Sequence, residues 1–412
     1  MDILRFITAG SVDDGKSTLI GRLLFDTNNI KTDIITSLSG NSTGENTINL
    51  AHVTDGLRSE REQGITIDVA YKYFTTQNRK FIITDAPGHF QYTRNLVTGA
   101  SSVDLMIILI DARHGITSQT RNHSIVASFL KIGKIVVAIN KMDMVGYDEA
   151  VYSKIKDEYN QIAQKLNLNN STFIPISALN GDNVCIPSTN MPWYNGSNIL
   201  SALENHPIAT HNSNTLRFQV QYVLNEKHKD YNQGYAGKLI SGNINGGDEI
   251  IINNENTAII GEILLGYHQT DKAEEGQNIV LYLKSDKIFS RGDMFHSSTN
   301  RPYYTNKIQA AVCWLDNNND MNVGGEYILR IGATTTQCTV IDIIDKTDNL
   351  TLDKYSDNTP VSVNQIASIV VQTKQPIMVD KFDDITETGR GILINKTTNF
   401  TSGAFVITSI LS

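Results

Sequence analysis

The pattern of hydrophobic and polar residues changes character near residue 210. In the first half, short and nearly continuous runs of Ile, Val and Leu alternate with segments long enough for crossover helices. Strands without polar positions are typical of a parallel sheet buried on both faces. The alternation therefore predicts an α/β domain with a doubly wound, mostly parallel sheet and helices on both faces. The predicted strands are 4–9, 80–84, 105–110, 135–139 and 173–176, and the helices include 119–130 and 149–166.

Strand-like runs follow one another at short intervals in the second half of the chain. They begin after a polar, irregular segment at 206–214, which we interpret as a linker, and a second boundary is expected at 300–302. Many short strands separated by turn residues indicate small all-β barrels. We therefore expect an α/β domain at 1–210 and two small β-barrel domains at 211–300 and 301–412. The predicted barrel strands are 216–224, 236–242, 249–252, 259–265, 278–283, 307–314, 325–331, 336–344, 362–371 and 391–395.

The composition narrows the classes of partner and the compartment. A net charge of −8 over 412 residues argues against a general nucleic-acid-binding or anionic-membrane surface. The three cysteines, Cys185, Cys313 and Cys338, lie far apart without metal-ligand spacing, which is typical of reduced thiols in the cytosol. The apolar runs are too short to cross a bilayer, and a strand follows directly on Met1 and Asp2. We therefore expect a cytoplasmic protein with no signal peptide and no nucleic-acid or membrane partner.

A glycine-rich segment between the first strand and the first helix indicates a phosphate site. It reads Gly10-Ser-Val-Asp-Asp-Gly15-Lys16-Ser17, which matches the P-loop pattern. The backbone N–H groups of such a loop surround phosphate oxygens, and the following helix directs its positive end at the same anion. Lys16 supplies a charge near the β- and γ-phosphates, and the Ser17 hydroxyl can ligate Mg2+. The pattern names a ligand class but not the nucleotide.

Two further segments supply groups for the γ-phosphate end of a nucleotide. Asp85 follows the strand 80–84 and can hold Mg2+ through water, and Gly88 can bring its N–H against a phosphate. His89 can orient an attacking water, although an ordinary loop histidine is the alternative. Thr66 lies in a polar stretch before the next strand and can bind Mg2+ and the γ-phosphate only in the triphosphate state. Taken alone, Thr66 is an ordinary strand residue.

Two segments near the ends of later strands point to guanine. The Asp143 carboxylate of Asn140-Lys-Met-Asp143 can accept hydrogen bonds from guanine N1–H and the 2-amino group, donors that adenine does not present. Asn140 can brace the surrounding loops, and the stem of Lys141 can lie over the base. The Ala178 N–H can face guanine O6, although Ser177-Ala178-Leu179 alone would indicate only a turn. Because all these elements lie at predicted carboxyl ends of strands, together they predict binding of GTP with Mg2+.

The order of these elements resembles the translation-factor-type GTPases, which carry one such domain followed by two small β-barrels. Tu-type factors have histidines where this chain has Ser11 and Asp14. Further distinctive strings lie at 56–71, 91–96, 98–102, 181–184, 191–194, 234–238 and 290–293. In these strings the chain resembles the large, GTP-hydrolysing subunit of the heterodimeric bacterial sulfate adenylyltransferase.

This resemblance implies a function and a partner. A separate small subunit would hold the ATP and sulfate site and make adenosine 5′-phosphosulfate and pyrophosphate, and GTP hydrolysis on this chain would drive that uphill reaction. The implied assembly is a heterodimer or a higher assembly of such pairs. This chain carries one P-loop and no ATP pyrophosphatase loop, so adenylyl transfer is not expected on it alone.

The resemblance also implies a role for each site residue. It makes His89, Lys16 and Thr66 catalytic, gives Mg2+ the ligands Ser17, Thr66 and Asp85, and permits a monovalent cation near Asp13. The implied phosphate contacts are Gly10, Ser11, Val12, Asp13, Asp14, Gly15, Lys16, Ser17, Thr18, Asp85, Ala86, Pro87, Gly88 and His89. The implied base contacts are Asn140, Lys141, Met142, Asp143, Ser177, Ala178 and Leu179.

Some positions depart from that family, and two other functions stay open. Phe90 stands where the family commonly has Glu, Ala86 stands where Thr is frequent, and the apolar pair that often follows Thr-Gly is missing after Thr388. These changes affect coupling and partner fit more than nucleotide contacts. The alternatives are a translation factor that delivers aminoacyl-tRNA and a GTPase whose output is signalling only.

Overall fold

The chain folds into two compact units, Met1–Ile208 with Asp348–Asp353, and Ala209–Thr347 with Lys354–Ser412. The computed structural model describes residues 2–30, 50, 69–88, 92–208, 215–225 and 228–411. The expected domain boundaries stay predictions, since these two units do not test them separately.

A six-stranded sheet forms the centre of the first unit. Its strands are β1 (Ile3–Ala9), β2 (Ala70–Thr75), β3 (Lys80–Asp85), β4 (Leu105–Asp111), β5 (Lys134–Asn140) and β6 (Ser171–Pro175). The strand order is β2-β3-β1-β4-β5-β6, and every neighbouring pair is parallel except β2 and β3. The mainly parallel sheet is therefore confirmed. The sequence analysis missed β2, whose side chains alternate between exposed and partly buried positions until Phe74.

Helices cover both faces of this sheet. The described helices are α1 (Lys16–Asp26), α2 (Thr93–Ala100), α3 (Ser118–Phe129), α4 (Glu149–Lys165), α5 (Ile199–Glu204) and a 3-10 helix (Met142–Val145). All residues of β4 are buried, as expected for a strand with helices on both sides. Leu23 of α1 and Leu203 of α5 share one core with Phe6 and Ile107 of the sheet. Among the helices described, none is long and apolar enough to span a membrane.

The strand order brings the predicted site loops to one edge of the sheet. β1 lies between β3 and β4, so the strand order reverses at β1. The loop after β1 therefore emerges at a topological switch point, where open α/β sheets bind ligands. The register pairs Thr8 with Asp85 and Asp111 with Asn140, so the strands end almost level. Residues that are far apart in sequence therefore meet at this edge.

The second unit contains two closed antiparallel barrels. The first barrel and its attached short strands are β7 (Arg217–Leu224), β8 (Gly234–Ser241), β9 (Ile244–Asn245), β10 (Glu249–Ile252), β11 (Asn256–Leu265), β12 (His268–Thr270), β13 (Lys272–Ala273), β14 (Asn278–Lys284) and β15 (Met294–His296). The second comprises β16 (Tyr303–Trp314), β17 (Glu326–Ile331), β18 (Thr334–Thr347), β19 (Lys354–Tyr355), β20 (Ile366–Val379), β21 (Arg390–Asn395) and β22 (Thr401–Ile410). The order β10-β15-β7-β8-β14-β11 returns to β10 and closes the first barrel, and the order β17-β21-β22-β16-β20-β18 returns to β17 and closes the second. The predicted fold class is confirmed, although the sequence analysis missed β22.

A buried ion pair joins the two barrels. The Arg217 guanidinium of β7 donates from Nε to Asp380 Oδ2 at 2.9 Å and from a terminal nitrogen to Asp380 Oδ1 at 2.8 Å. The Thr388 hydroxyl donates to the same carboxylate at 2.6 Å. The Arg217 side chain is 1% exposed, so neither charge is compensated by bulk water. Each charge therefore depends on the other to offset the cost of its burial.

Replacing Arg217 by Ala should lower the free energy of unfolding of the barrel unit by about 3–5 kcal/mol, because Asp380 would stay buried without its cation. Fluorescence of the buried Trp314 during urea unfolding measures the change, in a Trp193→Phe background that removes the other tryptophan. Lys272→Ala is the matched control, since it breaks an exposed ion pair with Glu274 and should leave the midpoint nearly unchanged. Equal shifts for the two variants would contradict the role of the buried pair.

Candidate functional site

The loop between β1 and α1, residues 10–15, is called the phosphate loop below, and its backbone suits a bound anion. Gly15 adopts a left-handed conformation with φ of 94°, and a Cβ there would overlap the side-chain amide of Asn140. Only glycine fits this position without strain. The helix then begins at Lys16 with no side-chain cap on its first N–H groups. These donors and the positive end of the helix are therefore directed at the loop.

The Lys16 side chain lies across the inside of the loop. Its ammonium donates to the carbonyl oxygens of Gly10 at 3.0 Å and Ser11 at 2.9 Å. Burial lowers the pKa of Lys16, whereas the negative charges of Asp85 and Asp14 act to raise it. These carboxylates favour the charged form of the amine at the place where the sequence predicts a phosphate contact.

Gly88 lies directly beside this ammonium. A Cβ on Gly88 would overlap Lys16 Nζ and crowd the Gly10 carbonyl, so a larger residue would displace the lysine. The Gln119 amide of α3 donates to the Gly88 carbonyl at 2.6 Å and thereby orients the peptide. The structure thus brings the turn after β3 against the phosphate loop, as the predicted site requires.

Asp14 acts inside the loop through its side chain. The Ser11 N–H donates to Asp14 Oδ2 at 2.5 Å, and the Asp14 N–H donates back to the Ser11 carbonyl at 3.3 Å. Burial raises the pKa of Asp14, and the Ser11 hydrogen bond partly opposes that effect. The Ser11 hydroxyl lies 3.0 Å from the hydroxyl of Thr117, the N-cap of α3. Both side chains therefore shape the loop, and their predicted phosphate contacts would come from the backbone.

Asn140 connects three loops at the end of β5. Its side-chain nitrogen donates to the Asp14 carbonyl at 2.7 Å, and its side-chain oxygen accepts from the Ala178 N–H at 2.9 Å. The phosphate loop and the loop after β6 are thus fixed to the same buried amide. The Ala178 N–H already has this acceptor, so guanine O6 would share the donor, and the predicted contact stays a prediction.

Lys141 links the segment 140–143, called the base motif below, to the phosphate loop. Its ammonium donates to the Asp13 carbonyl and lies 2.9 Å from Asp111 Oδ2. Burial acts to raise the pKa of Asp111, but hydrogen bonds from Arg113 and Lys141 lower it well below its usual range. The carboxylate is therefore charged at neutral pH. Arg113 contacts both of its oxygens, with a shortest distance of 2.6 Å.

The other predicted base contacts differ in how far they are exposed. Asp143 is half-buried on the 3-10 helix, whereas Met142 is fully buried and packs inward. Ser177 is also buried, and the Leu179 side chain is 60% exposed. Arg22 of α1 donates to the carbonyls of Ala178, at 3.3 Å, and Leu179. Met142 is thus closed off from a ligand, whereas Asp143 is partly accessible at the edge of the sheet and Leu179 is largely exposed.

The remaining predicted phosphate contacts lie on both sides of the loop. Val12 and Asp13 are exposed at its tip, and Ser17 and Thr18 are half-buried in the first turn of α1. Asp85 at the end of β3 and the next three residues, Ala86, Pro87 and Gly88, are all buried. The cation expected near Asp13 stays a prediction.

The predicted Mg2+ ligands form only part of a coordination sphere. Asp85 ends β3 and accepts from the Thr8 hydroxyl at 3.5 Å, while Ser17 supplies a hydroxyl. Across the described ranges, no group of three or more His, Cys, Asp or Glu side chains could hold a metal. A hydroxyl and a carboxylate nevertheless suit Mg2+ that takes its other ligands from phosphates and water. Thr66 and His89 lie outside the described residues.

Three charged residues at this edge were missed by the sequence analysis. Asp111 ends β4, Arg113 follows it, and Arg22 lies on α1, 157 positions before the Leu179 carbonyl that it contacts. For Asp111 a signal was present, since a carboxylate directly follows a buried strand at the predicted binding edge. Nothing in the sequence marked Arg22, because its contact depends on how α1 lies against a distant loop.

Comparison with known families assigns both ends of the chain. Residues 1–220 match the family described as elongation factor Tu GTP binding domain. Residues 307–408 match the family described as GTP-eEF1A C-terminal domain-like. The first match spans more than half of the 412 residues.

Comparison with individual proteins gives relatives over nearly the whole chain. The protein is 44% identical to "Sulfate adenylyltransferase subunit 1" of Shewanella woodyi, covering 98% of this chain and 87% of that one. The protein of the same name from Psychromonas ingrahamii is also 44% identical with the same coverage. Among solved structures, the Ski7 GTPase-like domain of S. cerevisiae bound to GTP has a TM-score of 0.55. It is 17% identical and covers 99% of this chain and 98% of that one, so it supports the fold alone.

Replacing Asn140 by Ala should lower the free energy of unfolding of the first unit by about 2–4 kcal/mol, since the Asp14 carbonyl and the Ala178 N–H would lose a buried partner. Unfolding followed by Trp193 fluorescence in a Trp314→Phe background measures this change. Asn190→Ala is the control, because Asn190 is exposed and its side-chain amide donates to Asp182 Oδ1 at 3.0 Å rather than to a buried backbone group. A shift no larger than that of the control would show that Asn140 does not hold the loops.

Proposed function

Because the chain belongs to the sulfate adenylyltransferase subunit 1 family, among proteins with an elongation factor Tu GTP binding domain, we propose that it is a GTPase that drives sulfate activation. The observation that carries this proposal is the meeting of three loops at one sheet edge, joined by the buried amide of Asn140. The loop before α1 suits phosphates, the loop after β5 would present the Asp143 carboxylate to a base, and the loop after β6 would place the Ala178 N–H beside that base.

Phosphate binding is assigned to the loop before α1. Its backbone N–H groups would surround the α- and β-phosphates, and Lys16 would exchange its carbonyl acceptors for the β- and γ-phosphate oxygens. Gly88 would bring its N–H against the γ-phosphate, since no side chain lies between it and Lys16. Ser17 and Thr66 would ligate Mg2+ directly and Asp85 through water. The ion, when bound, would neutralise charge on the phosphates.

Hydrolysis is assigned to a water positioned by His89 beside the γ-phosphate. A positioned imidazole can orient that water for in-line attack, and Thr66 would bind the γ-phosphate end only in the triphosphate state. Both assignments rest on the sequence resemblance.

Base selection is assigned to the carboxylate of Asp143. It would accept from guanine N1–H and the 2-amino group, while the Lys141 stem covers the ring. Adenine would leave the carboxylate without donors, which costs about 1–3 kcal/mol or more in binding. The site therefore favours guanine nucleotides by a penalty on the wrong base.

Sulfate activation itself is assigned to a separate small subunit in a cytoplasmic heterodimer. On that subunit, sulfate oxygen would attack the α-phosphorus of ATP and displace pyrophosphate, giving adenosine 5′-phosphosulfate. Because the new mixed anhydride is a high-energy bond, the equilibrium is unfavourable without an energy source. GTP hydrolysis on this chain would supply it. The single P-loop of this chain fits a division of labour between two subunits.

Asp143→Asn should weaken GTP binding by about 10- to 100-fold and improve binding of xanthosine triphosphate, because an amide can donate to the xanthine 2-oxygen. Titration with fluorescent nucleotide and competition by the two triphosphates measures both effects. Asp148→Asn is the matched control, since this N-cap of α4 lies on an exposed turn five residues away. Unchanged preference for GTP would remove Asp143 from base recognition.

Co-expression with the small subunit tests the coupled function. Pyrophosphate release from ATP should depend on sulfate and GTP, and neither chain alone should support it. A non-hydrolysable GTP analogue should give little product, and Lys16→Ala should abolish the stimulation because the phosphates lose their cation. Formation of the same amount of product without GTP as with GTP would contradict the proposal.

A further inference from the structure

Asp111 is a charged residue of the site to which none of the assigned motifs gives a role. It ends β4, where the register places it opposite Asn140 of β5. The Ala112 N–H, next along the chain, donates to the Asn140 carbonyl at 2.9 Å. The backbone of Asp111 is therefore held level with the base motif, and its side chain is only 2% exposed.

The Asp111 carboxylate is enclosed by donors from two directions. Arg113 donates from its backbone N–H at 2.9 Å and from its guanidinium at 3.0 and 2.6 Å. Lys141 approaches from the other side, 2.9 Å from Oδ2. A buried carboxylate is tolerated because both cations neutralise it. Arg113 therefore fixes the orientation of the carboxylate that Lys141 contacts.

Lys141 needs such a fixed partner because of where its side chain must lie. Its backbone is left-handed with φ of 64°, and its ammonium reaches the Asp13 carbonyl in the phosphate loop. A four-carbon side chain loses conformational freedom when it is held in one rotamer. An ion pair at its tip favours the extended path over other rotamers.

We propose that Asp111, clamped by Arg113, is a positioning residue that holds the Lys141 side chain over the guanine base and thereby slows nucleotide release. This inference rests on the proposed GTP site. Asp111 acts through Lys141 and touches no nucleotide itself. Its charge orients the lysine stem, whereas Asp143 selects the base.

A double-mutant cycle tests this dependence. The release rate of GDP labelled with an N-methylanthraniloyl group is measured by stopped-flow chase with unlabelled GDP, on the full chain. Asp111→Asn and Lys141→Met should each raise the rate by about 10-fold, and the double variant should be no faster than the faster single variant. Arg113→Ala, at a partly exposed side chain, should raise the rate by a smaller factor and have no effect in the Lys141→Met background.

Two controls separate positioning from general damage. Asp104→Asn makes the same change just before the other end of β4, where Asp104 accepts from the Arg5 N–H at 2.8 Å, and should leave the release rate unchanged. The preference for GTP over xanthosine triphosphate should be retained in Asp111→Asn, because Asp143 is intact. If Asp111→Asn does not fold, the Arg113→Ala and Lys141→Met pair completes the cycle.

The outcomes distinguish the inference from the function on which it rests. Release rates that multiply in the double variants, to about 100-fold for Asp111→Asn with Lys141→Met, would show a merely structural role and overturn the inference alone. Unchanged release in Asp111→Asn would overturn it as well. A wild-type chain that binds no labelled GDP would overturn the proposed function and this inference together.

Discussion

The buried amide of Asn140 is the interaction on which the arrangement of the site depends. Its nitrogen and oxygen satisfy a carbonyl and an N–H from two loops that lie 126 positions before it and 38 positions after it. Neither backbone group is exposed to water, so each would carry a desolvation cost without this partner. The amide also explains Gly15, because any Cβ there would occupy the position of the Asn140 nitrogen. The side chain of Asn140 thus holds the phosphate loop in its conformation and fixes its distance from the loop after β6.

Two lysines of this edge, one buried and one half-buried, each have a carboxylate beside them. Lys16 lies among Asp14 and Asp85, and Lys141 lies against Asp111. Asp14 and Asp85 offset part of the cost of burying the Lys16 ammonium. The contacts of both lysines also fix the direction of their side chains, so a polyanionic ligand would meet groups that are already oriented. Pre-oriented charges lose less conformational freedom when a ligand binds than flexible surface lysines do.

The sequence analysis predicted the elements that depend on local patterns of residues and missed the contacts that depend on the order of strands in the sheet. Continuous apolar runs located β1, β3, β4, β5 and β6, and the loops that follow them contain the predicted site residues. The sequence analysis missed the edge strand β2 because its side chains alternate between exposed and partly buried positions, a pattern that is also typical of a polar connecting segment. Asp111 becomes a partner of Lys141 only once β4 and β5 are neighbours in register. The inward direction of Met142 and the contact of Arg22 likewise depend on packing that periodicity does not encode.

Ser11 and Asp14, the two loop residues that set this chain apart from Tu-type factors, have a structural explanation. The Asp14 carboxylate accepts from the Ser11 N–H, and the Ser11 hydroxyl pairs with Thr117 at the start of α3. Both side chains are thus engaged within the protein. A substitution there changes how the loop is held against α3, which also carries the Gln119 that orients Gly88. The difference from Tu-type loops therefore acts on the link between the phosphate loop and the turn that contains Gly88, which we propose to contact the γ-phosphate; hydrolysis would be coupled to a partner through these two elements.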